Sequence, residues 1–398
     1  HRKAFDIPIV GITGSNGKTM VKEWLSQLLA YDKNVTRSPK SYNSQIGVPL
    51  SVWLLNESSQ IGLIEAGISK VGEMQALHDI IQPTVGVLTS LGAAHQENFS
   101  SLEEKCNEKL LLFKGTQALV YQLDDEIAAK CISAAHYDGK LLAWSEHDTT
   151  AAFFVDRIEK SDTASTVSYI WQHATHGSFT LPFIDEASVS NCITCAVVAL
   201  HFGILPDVLA QRMATLEPVA MRLEVKEGQH GCTLINDSYN SDINSLDIAL
   251  DFMNRRPDQN RRERTLILSD IYQSGETEQQ LYADVAALVK KRGVKKFIGI
   301  GTALGRQQQA FEGLETKFFF DNIADFIGSK VFKSLHDEVI LLKGARSFGF
   351  DKLTELLVKK VHETVLEVNL NAVVDNLNWY RSFLKPETKL VCMIKADA

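Results

Sequence analysis

Cysteine is sparse in this chain of 398 residues: there are six, Cys106, Cys131, Cys192, Cys195, Cys232 and Cys392, scattered without a framework of spacings. That excludes a small disulfide scaffold and predicts reduced thiols in a cytoplasmic protein. Cys192 and Cys195 form a C-x-x-C, but they lie in an apolar run, residues 192–200, that reads as a buried helix with two small core residues one turn apart. No second Cys/His pair stands at zinc-like spacing. Long apolar stretches are also missing. The longest, residues 192–205, is broken by His201 and Gly203 and is too short to span a bilayer, so no membrane partner is expected. No signal-peptide pattern opens the chain, and His1 in place of methionine reads as a cut or processed start. A strong excess of one charge is absent too. Lys and Arg number 41 against 49 Asp and Glu, a net −8 that favours solubility and argues against a nucleic-acid partner.

What remains is globular material, 45% apolar and 23% charged. At about 150 residues per domain the length predicts two or three domains. Residues 7–13, 61–65 and 85–89 read as buried strands. Between and after them, residues 20–30, near 72–80 and near 102–113 read as helices. Alternation of this kind argues for a parallel sheet covered on both faces. Residues 153–158, 167–171 and 179–183 predict a small antiparallel patch, and a helix over 187–202 follows. A linker near Pro218 separates a second α/β region, with strands at 233–237, 265–269, 296–300 and 338–342 and helices near 246–254, 279–291 and 352–360. The expected domains are 1–218, 219–362 and a tail, 363–398, that reads as a single strand–helix–strand unit. The expected fold class is α/β: a phosphate-loop nucleotide-binding domain with a parallel sheet, then a Rossmann-like C-terminal domain.

The strongest chemical signal is Gly11-Ile-Thr-Gly-Ser-Asn-Gly-Lys-Thr19, set between a strand and a helix. Glycines let backbone N–H groups turn inward around phosphate oxygens, and the helix N-terminus favours an anion. Lys18 adds positive charge beside the β- and γ-phosphates, and the Thr19 hydroxyl can meet Mg²⁺. Gly14, Ser15, Asn16 and Gly17 complete the predicted ATP cradle. Glu65 ends a buried strand, a place where a carboxylate calls for a ligand. His95 follows the next strand and its glycine turn, where α/β sheets place ligands.

The loop resembles that of the Mur ligase superfamily, T-G-T-N-G-K-T, here Thr13-Gly-Ser-Asn-Gly-Lys-Thr19. The resemblance continues through Asn43-Ser-Gln-Ile-Gly-Val-Pro-Leu50, Glu65-Ala-Gly67, Gly72-Glu73, Ala94-His95 and Lys109. It resumes at Asn191, Met221-Arg222-Leu223, Asp237-Ser-Tyr-Asn240 and Lys343-Gly-Ala-Arg346. The last two segments resemble the branch that joins D-alanyl-D-alanine to UDP-N-acetylmuramoyl-tripeptide in cell-wall precursor synthesis. The resemblance implies ATP and two Mg²⁺ ions, with Thr19, Glu65, His95 and Lys109 as metal ligands, Lys109 as a carbamate. It implies that Asn191 meets adenine, that Arg222, Asp237 and Tyr239 reach the nucleotide from the second domain, and that Asn43, Lys343 and Arg346 face substrate. It also implies that a separate UDP-gripping domain lies outside this sequence. Departures are local: Glu108-Lys109-Leu110 replaces A-K-G-E-I, Ser241-Asp-Ile243 replaces A-N-P, and Ala345 replaces serine. Asp270 resembles the acid of L-G-D-M, with Ser269 in place of glycine. Two other readings of these residues stay open, a folylpolyglutamate synthase-like ligase and a nucleotide-binding scaffold without ligation.

The tail, with Leu366-Glu-Val-Asn-Leu-Asn-Ala372 and Met393-Ile-Lys-Ala-Asp-Ala398, resembles the opening of alanine racemase. Lys395 matches the lysine that holds pyridoxal phosphate there. One βαβ unit cannot close a barrel, so binding of that cofactor is expected only in a longer ligase–racemase fusion.

Overall fold

The structure is a computed structural model that describes residues 1–92, 98–219, 222–239, 241–255, 262–272, 277–359 and 369–390. His1–Val358 form one compact unit and Lys359–Ala398 another.

In the first unit a nine-stranded sheet is built from β1 (Ile9–Thr13), β2 (Val35–Arg37), β3 (Ile61–Glu65), β4 (Val85–Leu88), β5 (Ala118–Gln122), β6 (Lys140–Ser145), β7 (Phe153–Lys160), β8 (Ser165–Trp171) and β9 (Thr175–Leu181). Their order is β2-β3-β1-β4-β5-β6-β7-β8-β9. Pairing is parallel from β2 to β7 and antiparallel from β7 to β9. The antiparallel strands therefore extend the main sheet rather than standing as a separate patch. β1, β3 and β4 are buried along their whole length, as continuous apolar runs covered on both faces must be.

Helices α1 (Lys18–Leu29), α2 (Gly47–Trp53), α3 (Met74–Ile81), α4 (Leu102–Leu110), α5 (Glu126–Ala134), α6 (Glu186–His201) and α7 (Pro206–Met213) cover this sheet. α1 buries Val21, Trp24, Leu25, Leu28 and Leu29 against β1, β3 and α6 in one core. α6 carries both Cys192 and Cys195 at zero exposure within that core, so the C-x-x-C is a packing feature. Burial pushes both thiols up.

A second, six-stranded sheet holds β10 (Glu224–Glu227), β11 (Thr233–Asp237), β12 (Glu263–Ser269), β13 (Lys296–Ile300), β14 (Thr316–Phe320) and β15 (Glu338–Lys343) in the order β10-β11-β15-β12-β13-β14. Only the β10–β11 pair is antiparallel. α8 (Ile243–Arg255) and α9 (Glu278–Lys291) pack on it through Leu246, Leu250, Tyr282 and Val285. In both sheets strands that are not consecutive in the chain lie side by side, β3-β1-β4 in the first and β11-β15-β12 in the second, and α/β sheets place ligands at the carboxyl ends of such strands. Glu65 and Asp237 end such strands.

In the tail the described helix is Leu370–Arg381, capped by the Asn369 side chain on Asn371 and Ala372 N–H groups. The two strands expected around it, and Lys395, fall largely or wholly outside the described residues.

Candidate active site

The turn between β1 and α1 has the backbone that its glycines permit. Gly14 and Gly17 stand at φ +149° and +87°. A Cβ on Gly14 would collide with the Thr89 hydroxyl, and one on Gly17 with the Asn191 side chain. Asn191, on the first turns of α6, thus lies directly against the loop. Ser15 is pinned by a reciprocal pair with Gly92, its hydroxyl donating to the Gly92 carbonyl at 3.0 Å and accepting from the Gly92 N–H at 2.9 Å. The Thr89 hydroxyl donates to the Asn16 carbonyl at 2.5 Å. These ties hold the loop to the end of β4, so its shape is set before any ligand arrives.

Lys18 opens α1 and curls back over the loop, donating to the Gly14 and Ser15 carbonyls at 2.8 and 2.9 Å. Desolvation lowers its pKa to about 8, opposed by the Glu65 charge. The Thr19 hydroxyl donates to Glu65 Oε2 at 3.2 Å, and the Asn43 amide donates to the same oxygen at 3.2 Å. Glu65 is fully buried, and among the described residues its other oxygen, Oε1, accepts no hydrogen bond and lies 3.1 Å from the Lys22 ammonium.

Lys109 projects from α4 into the same site and donates to the Gly14 carbonyl at 3.1 Å. Burial, then the nearby Lys18 and Lys105 charges, hold its pKa well below the ordinary lysine range. Its helix is oriented by the preceding residue. Glu108 Oε1 accepts from the Gly72 and Met74 N–H groups at 2.9 and 3.0 Å, which ties α4 to the start of α3.

Lys18, Thr19, Asn43, Lys109, Arg222 and Tyr239 line one cavity of about 210 Å³. Across the loop a second cavity, of about 300 Å³, is lined by Asn16, Gly17, Asn191, Arg222, Asp237 and Lys343, among others. Its wall includes the apolar Met20, Leu88, Trp144 and Ile248, surfaces suited to a flat aromatic base. The Arg222 guanidinium lies 4.2 Å from the centre of the Tyr239 ring. Lys343 is buried, with its ammonium 2.7 Å from Asp237 Oδ2, so its charge is already met within the protein. It stands on the second cavity, not beside Asn43. Arg346 opens the short turn Arg346–Phe348. Asp270 accepts from the Ala303 and Leu304 N–H groups at 3.1 and 2.8 Å and so caps a helix of the second sheet. His95, Met221 and Asn240 lie outside the described residues.

Two lysines that the sequence reading passed over join this site. Lys22 is buried against Glu65, and Lys105 donates to the Gly92 carbonyl at 2.6 Å. Neither has a local signal, because their partners come from distant segments.

Among the described residues no three His, Cys, Asp or Glu side chains gather at one point. The oxygens gathered at the Lys18–Thr19 turn include the Glu65 carboxylate and the Thr19 hydroxyl, with the Ser41 hydroxyl 3.0 Å from Thr19. An all-oxygen set with one carboxylate fits Mg²⁺, which fills its shell with water and substrate phosphate oxygens, and does not fit zinc.

The Mur ligase middle domain family matches residues 12–199. A UDP-N-acetylmuramoyl-tripeptide–D-alanyl-D-alanine ligase of Bacillus subtilis is 24% identical over 370 residues, which cover 88% of this chain and 76% of that protein. The crystal structure of MurF from Acinetobacter baumannii superposes with a TM-score of 0.76 at 20% identity, over 89% of this chain and 78% of that one. MurF ligase from Thermotoga maritima in complex with ADP gives 0.73 at 20% identity, over 89% and 80%. Among the described residues no helix is long and apolar enough to cross a membrane.

Proposed function

The chain belongs to the Mur ligase family, and on that premise we propose that it joins the amine of D-alanyl-D-alanine to the terminal carboxylate of UDP-N-acetylmuramoyl-tripeptide, converting ATP to ADP and phosphate. The observation that carries this reading is the convergence of Lys18, Thr19 and Lys109 on one cavity that adjoins a second, lined by Asn191, Arg222 and Asp237. Residues 1–218 are read as the ATP-binding domain and 219–362 as the C-terminal domain.

Triphosphate binding draws the Lys18 ammonium from the Gly14 and Ser15 carbonyls onto phosphate oxygens. Loop N–H groups and the start of α1 add further positive potential. Asn191 and the apolar wall take the base, and Asp237 and Arg222 hold the nucleotide from the other sheet. A carboxylate oxygen of the tripeptide attacks the γ-phosphorus and ADP leaves, giving an acyl phosphate. The dipeptide amine then attacks the acyl carbon, phosphate leaves and the spare proton passes to water. Bound Mg²⁺ would supply neutralisation of the transferring group. Thr19 and Glu65 would hold one ion, and His95 with Lys109 as its carbamate a second.

Phosphate release is the test. The reading expects release only when ATP, the UDP-tripeptide and D-alanyl-D-alanine are all present. Release with glutamate and a folate acceptor instead would favour the folylpolyglutamate synthase-like alternative. Tight ATP binding without turnover would favour a scaffold.

A further inference from the structure

Lys22 follows Lys18 by one turn of α1, yet it cannot reach a ligand. Its side chain has zero exposure, and protein oxygens surround its ammonium: the Ser38 carbonyl at 2.7 Å, the Lys40 carbonyl, Glu23 Oε1 at 2.9 Å and Glu65 Oε1 at 3.1 Å. The two carbonyls accept its protons, and the two carboxylate oxygens meet it as ion pairs. Burying such a group is costly, and a methionine would fill the same volume without that cost. Packing therefore does not account for it.

The partner explains it. Glu65 ends β3 at zero exposure, and its two oxygens are used differently. Oε2 accepts from Thr19 and Asn43 and sits on the side of the phosphate loop. Oε1 accepts no hydrogen bond among the described residues and pairs with the Lys22 ammonium. Without the ammonium, Oε1 would be a free second donor and the Glu65 carboxylate could rotate.

We propose that Lys22 is a positioning residue for the ligase reaction: it occupies Glu65 Oε1, so that Glu65 offers a divalent cation a single oxygen, Oε2, beside the Thr19 hydroxyl. A one-oxygen carboxylate leaves the remaining positions around a small octahedral cation to phosphate and water. The same ammonium ties the Ser38–Lys40 backbone to α1, so the wall behind the site and the ligand are fixed together. This rests on the Mg²⁺–ATP reading of the loop.

Calorimetric titration of the whole chain with ATP, in EDTA and across a Mg²⁺ series, separates the two. In Lys22→Met the ATP affinity in EDTA should stay within about two-fold of the parent. The Mg²⁺ concentration giving half of the affinity gain should rise about 10- to 100-fold, the usual effect of losing a residue that orients a metal ligand. The double variant K22M/E65Q, which leaves no unpaired buried charge, should show the Mg²⁺ dependence of E65Q alone. An unchanged Mg²⁺ dependence in Lys22→Met overturns the proposal, as does a parallel loss of affinity in EDTA. So does a double variant that needs more Mg²⁺ than E65Q. A parent chain that binds no ATP in either condition overturns the ligase reading, and this proposal with it.

Discussion

The Lys109 side-chain nitrogen donates to the Gly14 carbonyl at 3.1 Å, joining α4 to the phosphate loop across 95 residues of sequence. A lysine on the outer face of its helix would make no such bond. This one is buried between the loop and the strand ends, with its pKa well below the ordinary range. Only a neutral amine adds to CO₂, and the product is an anionic carbamate in place of an ammonium that would repel a cation. Incubation with ¹³C-labelled CO₂ should therefore give a carbamate NMR signal that Lys109→Met lacks. The same variant should keep ATP binding and lose about 10- to 100-fold or more in turnover. Turnover equal to the parent would return Lys109 to a structural role.

Lys18 gives a proton-linked signature. Its pKa stands near 8, depressed by burial, and a polyanion bound beside it must raise that value. ATP binding near pH 8.5 should then take up a proton, visible as a dependence of the apparent calorimetric enthalpy on buffer ionisation. Affinity should fall as pH rises through that region. For stability the sign is opposite. The unfolded chain binds more protons than the native one between the depressed value and the ordinary lysine value, so Lys18 makes stability rise with pH across that interval. Lys18→Met should remove both effects, abolish nucleotide binding and leave the fold intact, because the ammonium donates to two loop carbonyls and ties no distant segment together among the described hydrogen bonds.

Much of this site could be read from the residues in order, and the reason is local. A strand, a glycine turn and Lys18-Thr19 form one contiguous unit, and Glu65 closes an apolar run. The C-terminal strands were legible for the same reason, with residues 233–237 and 296–300 forming β11 and β13 at the expected bounds. The edge strand β2 was not, since Val35–Arg37 is short and only partly buried. The expected strands omit β5, although Ala118-Leu-Val-Tyr carries an apolar signal. Lys22 was illegible in principle. It lies beside Val21 on a helix whose apolar face ends there, and its partners, Ser38, Lys40 and Glu65, belong to the segments after β2 and at the end of β3. Lys343 was legible as a site residue but not as the partner of Asp237, because their pairing follows from the register of two strands far apart in sequence.

Gly17 offers a direct check on the loop. At φ +87° a side chain is strained, and the added carbon would also press into Asn191. Gly17→Ala should cost about 1–3 kcal/mol of stability. It should also weaken ATP binding by more than Asn191→Ala does, since it displaces the loop and the base contact together. Thermal melts and calorimetry on the two variants decide this, and an alanine at position 17 that melts and binds like the parent would mean that the turn is not held as described.

The Asp237–Lys343 pair separates two roles for Lys343. Strand register sets the two residues side by side at the carboxyl ends of β11 and β15, and their charges meet at 2.7 Å with little solvent contact. If the pair is what positions Asp237 on the nucleotide cavity, removing either partner leaves a buried charge unmatched. Lys343→Met should then cost about 3–5 kcal/mol, and the double variant D237N/K343M much less than the sum of the two single changes. Lys343→Met should weaken ATP binding through the displaced Asp237 and leave the KM for the UDP-tripeptide within about two-fold at saturating ATP. If Lys343 instead neutralises a carboxylate or phosphate of the peptide substrate, as its motif suggested, the order reverses. Stability would hardly move, the double-variant coupling would vanish, and the KM for the UDP-tripeptide would rise. Denaturant melts of the four proteins and steady-state kinetics of the folded ones distinguish these outcomes, and the burial of the ammonium against Asp237 favours the first.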